Sequence, residues 1–92
     1  ARYFKRWARR LRDYGFTRED AAVLALATFG TDEDTAILGM HSVATLDQAM
    51  INHWTIQRAA IQEHLATMQA DIPVPYCRAF LPQVLRPEQI DV

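Results

Sequence analysis

The sequence predicts an α/β domain rich in helix, and three observations carry that expectation. Apolar residues recur at helical spacing in several segments, the last of them long. A brief β-branched stretch precedes that long segment, and proline-punctuated extended residues follow it. A strand on either side of one long helix suggests a parallel βαβ unit with a right-handed crossover. Of the 92 residues, 50% are hydrophobic and 23% charged, which excludes a disordered chain.

Taken in order, Phe4, Trp7, Ala8, Leu11 and Tyr14 line one face of a first helix. Arg2, Lys5, Arg6, Arg9, Arg10 and Arg12 cover the rest of it. Gly15 follows in a position suited to a left-handed cap. Thr17 opens a second helix, with Asp20 as a capping-box-like acid and Glu19 beside it at the positive end of the helix dipole. Its body, Ala21 to Phe29, is apolar on every face and predicts burial on all sides, until Gly30 ends it. Thr31 and the acids Asp32, Glu33 and Asp34 predict a short helix closed by Gly39.

Met40 to Thr45, with Val43 inside it, is too short for a helix between its flanks and predicts a strand. After Asp47, a stripe of Met50, Ile51, Trp54, Ile61, Leu65 and Met68 predicts one long helix. Arg58 interrupts the stripe, with its stem across the core and its head in water. Ile72-Pro73-Val74-Pro75 reads as a second, extended segment at a sheet edge, because proline cannot donate to a ladder. Beyond Tyr76, Pro82 and Pro87 allow only short helical turns. The expectation is about four helices and two short parallel strands. Residues 1–92 form a single domain or a fragment of one. Two strands make a poor sheet and an all-apolar helix needs cover, so the chain is expected to belong to a larger α/β unit or to self-associate.

The longest apolar run, Ala21 to Ala27, is too short to span a bilayer, and no secretory pattern is present. Cys77 stands alone, which excludes a disulfide framework and a multi-cysteine zinc site. A cytoplasmic setting without membrane association follows as the expectation. Charge is divided unevenly. Residues 1–18 hold seven of the ten basic residues against Asp13, a net of +6, and the remainder carries −7. Such asymmetry points to two faces with different partners, or to two parts that attract each other.

Few residues could carry chemistry. Asp47 follows the first strand, where open α/β sheets bind ligands, and also suits the N-cap of the long helix. Thr45, two residues back, could orient that carboxylate or a bound water. Asp20 could meet Asp47 if the second helix starts beside the strand end. A hard cation takes one or two carboxylates together with water and substrate phosphate. Two carboxylates held within about 8 Å repel, so the pairing implies Mg²⁺, Mn²⁺ or a nearby Arg or Lys. Asp32, Glu33 and Asp34 read as helix-start charges. His41, His53 and His64 lack metal-ligand spacing, and Cys77 has no activating neighbour. The basic helix, with Tyr3, Phe4 and Trp7, offers Arg2, Lys5, Arg6, Arg9 and Arg10 as a backbone-contacting nucleic-acid surface, although its aromatics lie on the face that packs inward.

The order of these features resembles the C-terminal half of a PIN-like nuclease domain, the fold of many toxin–antitoxin ribonucleases. The residues that carry the resemblance are Gly15-Phe16-Thr17-Arg18-Glu19-Asp20-Ala21 before an apolar helix, Thr45-Leu46-Asp47 at a strand end, and Ile72-Pro73-Val74 before Phe80-Leu81. The resemblance implies a helix-rich part of a three-layer α/β/α domain and hydrolysis of RNA with Mg²⁺ or Mn²⁺ held by converging acids. Asp20 and Asp47 match two of those acids, Thr45 matches the accompanying threonine, and Glu19 is an adjacent spare metal ligand. The family's other acids belong to a half that would precede Ala1, so this chain alone is expected to bind metal weakly and to be inactive. Implied partners are RNA, an antitoxin-like protein or a second copy. From a different class, the residues also fit a non-catalytic helical module that binds a protein or nucleic-acid backbone through the basic helix.

Overall fold

A computed structural model of the chain describes residues 2–30 and 39–90. Helix α1 spans Arg2–Asp13 and α2 spans Arg18–Phe29; strand β1 is Ser42–Ala44; helix α3 runs over Gln48–Gln69; strand β2 is Gln83–Leu85. One-turn 3₁₀ helices occupy Tyr76–Arg78 and Pro87–Gln89. The result is mixed α/β and mostly helical. The expected short helix after Thr31 falls on residues outside those described. No described helix is long and apolar enough to cross a membrane.

The local reasons for each element are legible. Gly15 adopts φ +97°, and Tyr14 and Gly15 donate backbone N–H bonds to Leu11 and Arg12 at 3.0 Å, which closes α1. Thr17 caps α2 by accepting from the Asp20 N–H at 3.1 Å. Asp47 caps α3 in the same way, with Oδ1 accepting from the Met50 N–H at 3.1 Å. Gly30 ends α2 with its N–H on the Leu26 carbonyl. The chain re-enters nearby. Gly39 donates to the Gly30 carbonyl at 2.7 Å and Met40 to the Ala27 carbonyl at 2.6 Å.

β1 and β2 pair in parallel, with Val43 opposite Val84, and α3 lies between them in sequence. The ladder extends at both ends, through Gln83 N–H to the His41 carbonyl and Thr45 N–H to the Leu85 carbonyl, each at 2.9 Å. The βαβ unit is therefore present, but its second strand is not the expected one. Ile72 to Pro75 is irregular and turns into the 3₁₀ helix through the Cys77 N–H on the Pro73 carbonyl. The strand begins immediately after Pro82, where the missing proline N–H costs the ladder nothing.

The core forms where α1, α2 and α3 meet the sheet. Trp7, Leu11, Leu24, Ile61 and Leu65 are wholly buried, and Phe29 stands edge-on to Trp7 at 6.0 Å. The indole nitrogens of Trp7 and Trp54 are buried without a hydrogen-bond partner among the described residues. The stripe read along α3 holds: Met50, Trp54, Ile61 and Leu65 face inward. Arg58 is half-buried and donates from Nη2 to the Leu81 carbonyl at 3.4 Å. Helix α2 departs from expectation. Ala21, Leu24, Ala25 and Phe29 are buried, yet Val23 and Leu26 are about half exposed, at 47% and 50%. One flank of this helix is only partly covered among the described residues.

Candidate acidic pocket and its basic margin

The N-terminal ends of α2 and α3 converge. Between them lies a pocket of about 320 Å³ whose walls include Gly15, Phe16, Asp20, Asp47, Met50 and His53. The two acids singled out in the sequence thus line one cavity. Helix capping brings them there. Thr17 fixes the start of α2 and so the position of Asp20 in its first turn, while Asp47 is itself the cap of α3. Asp20 is half-buried and Asp47 exposed.

The helix ends add a further source of compensation for such a pair, beside a cation or a basic side chain. Each carboxylate sits at the positive end of a helix, where a negative charge is stabilised by about 0.3–1 kcal/mol. That field, together with the capping bond of Asp47, favours both charges at this place. As oxygen donors they also suit a hard cation, which takes one or two protein carboxylates along with water and phosphate. No group of three or more acid, histidine or cysteine side chains converges as a metal site among the described residues. Glu19 is exposed and does not line the pocket. Thr45 does not line it either. Its Oγ1 accepts from the Asp47 N–H at 3.1 Å, so it shapes the turn that enters α3.

Four residues shape the pocket region beyond the candidate acids, and of these the sequence singled out Gly15 as a helix cap and Phe16 only within the resemblance. His53 is half-buried, donates from Nε2 to the Tyr14 carbonyl at 2.7 Å, and lies edge-on to Phe16 at 4.5 Å between centroids. It ties α3 to the turn after α1. Gly15 is required in that turn, because a Cβ there would stand 3.0 Å from His53 Nε2. Phe16 is buried beneath the turn. Arg12 borders it from the other side.

The basic helix divides into two clefts. Arg9 and Arg12 line one of about 470 Å³, together with Asp13, Gly15 and Phe16. Arg6 and Arg10 line another of about 310 Å³ against α3, with His64, Thr67 and Asp71. Lys5, Arg6, Arg9, Arg10 and Arg12 are exposed. Arg10 approaches Asp13 at 3.5 Å, an exposed pair worth little. The aromatic residues of α1 face inward as expected. Trp7 is fully buried, while Tyr3 and Phe4 are half-buried against the core. Comparison with protein-family models, curated proteins and solved structures finds no match to this chain.

Proposed function

We propose that these residues form one half of a PIN-like, divalent-metal-dependent ribonuclease domain, helix-rich and completed by further strands into three layers. The observation that carries the reading is that Asp20 and Asp47, from two separate helix starts, line one pocket next to the end of β1. Asp20 and Asp47 would hold Mg²⁺ or Mn²⁺, with Glu19 able to join only if the first turn of α2 rearranges. Such an ion, when bound, lowers the pKa of a water and screens phosphate charge. Thr45 holds the turn that presents Asp47, and His53 holds the floor of the pocket. With only two acids converging among the described residues, the chain alone binds metal weakly and does not cleave RNA.

Electron paramagnetic resonance of Mn²⁺ titrated into the chain tests this. Binding is expected at an affinity on the order of millimolar, as for sites with few charged ligands. Asp20→Asn and Asp47→Asn should each weaken it by tenfold or more. The fold should stay intact, because Asn at position 47 still caps α3 and Asp20 accepts no capping bond. Wild-type protein that binds no Mn²⁺, or binds it unchanged in both variants, would sink the metal reading. The non-catalytic module, binding through α1 alone, would then stand. The absence of a third converging acid among the described residues favours that second reading.

A further inference from the structure

The acidic pocket and the Arg9–Arg12 cleft share two wall residues, Gly15 and Phe16. They are consecutive depressions separated only by the turn between α1 and α2. From this geometry we infer that an RNA backbone is held by Arg9 and Arg12 and crosses that turn, so that the next phosphates lie over Asp20 and Asp47. The choice of RNA as the polymer rests on the ribonuclease reading; the path rests on the shared wall.

Adjacency to the acidic pocket selects this cleft. Arg9 and Arg12 are exposed, and a guanidinium pairs with phosphate through two parallel hydrogen bonds. Arg6 and Arg10 open onto the other flank of α1, against the C-terminal half of α3, in a cleft that shares no wall with the acidic pocket. Each cleft holds one acid, Asp13 in the first and Asp71 in the second, so the shared wall and not the local charge decides between them. Phe16 is only 6% exposed, and no exposed aromatic lines either the Arg9–Arg12 cleft or the acidic pocket. Bases therefore have no stacking platform here, and recognition is of backbone, independent of sequence. Arg12 belongs to the tract although nothing in its sequence context separates it from a solvated helix face.

The acids make the path testable without catalysis. Without divalent ions, a phosphate over Asp20 and Asp47 is repelled, and neutralising both should tighten binding. A pair of like charges roughly 10 Å apart in water corresponds to about a twofold effect, so neutralising both acids should give about fourfold. The experiment follows a short fluorescent single-stranded RNA of mixed sequence by anisotropy across a salt series, with folding of each variant checked by circular dichroism. Arg9→Ala combined with Arg12→Ala should lower the salt slope by about 1.4, roughly 0.7 for each single-strand phosphate that is no longer neutralised. Arg6→Ala with Arg10→Ala should change it by less than half as much. Asp20→Asn with Asp47→Asn should raise affinity in EDTA. A slope carried by Arg6 and Arg10 instead, an affinity unchanged or reduced in the Asn variant, or no RNA binding at low salt would each overturn the path. Added Mg²⁺ separates the two readings, since it should tighten wild-type binding and leave the Asn variant unaffected. If the arginine and Asn results hold while Mg²⁺ has no differential effect, the path stands and the metal reading falls.

Discussion

Gly15 shows how much of the pocket depends on one atom that is not there. Its φ of +97° costs a side-chain-bearing residue about 1–2 kcal/mol, and a Cβ would press on the imidazole that fixes the turn to α3. Gly15→Ala is therefore expected to lose more than the backbone term alone, about 2–3 kcal/mol in urea denaturation. His53→Ala should lose less, because it leaves the glycine conformation intact. Equal losses would mean that the imidazole contact, and not the backbone, sets the turn. The residues around this turn differ in how far the sequence disclosed them. Asp20 and Asp47 announce themselves through helix-start chemistry, which is local. His53, Phe16 and Arg12 matter only because α1 ends beside the start of α3, a tertiary fact that no short-range pattern encodes.

Among the elements, α2 and β2 depart most from the sequence pattern. An all-apolar helix says that burial is available on every side, not which sides the fold will cover. Among the described residues there are too few neighbours to surround it. Leu24 is wholly buried and Leu26 is half exposed, although they lie two positions apart on one helix. Leu24→Ala should cost about 2–5 kcal/mol and Leu26→Ala about 0.5 kcal/mol or less. Thermal melts of the two variants check this, and a large loss at Leu26 would place that flank inside the core. β2 escaped notice for a different reason. A three-residue strand carries too few positions for alternation to register, whereas Ile72 and Val74 between prolines imitate an extended edge. The caps of α1, α2 and α3, by contrast, were legible because glycine, threonine and aspartate act through their own backbones.

For the molecule as a whole, segregation of charge and incomplete cover of apolar surface go together. Leu46, Ile56, Val74 and Met40 are more than half exposed, in addition to the open flank of α2. The sheet has only two strands, each with an unpaired edge among the described residues. Such a surface favours association. Sedimentation velocity over a concentration series should show reversible self-association that weakens when Leu26 is replaced by Lys. A monomer at every concentration, with a sharp cooperative melt, would mean that the core is closed as it stands.

The two backbone bonds that bring Gly39 to Gly30 and Met40 to Ala27 have a consequence for how the chain tolerates change in length. They join the exit from α2 to the approach to β1, so Gly30 and Gly39 are held side by side. Doubling the length of chain between two points already held together costs only about 0.6 kcal/mol, provided the anchor survives. Gly39 is that anchor. Its φ is +72°, and a Cβ there would lie 2.5 Å from the Ala27 carbonyl oxygen. An insertion of several Gly-Ser units after Asp34 should therefore leave the melting midpoint within a few degrees, whereas Gly39→Ala alone should lower it by more. The fold thus registers the identity of the glycine at this fastening more than the length of chain between the fastened points.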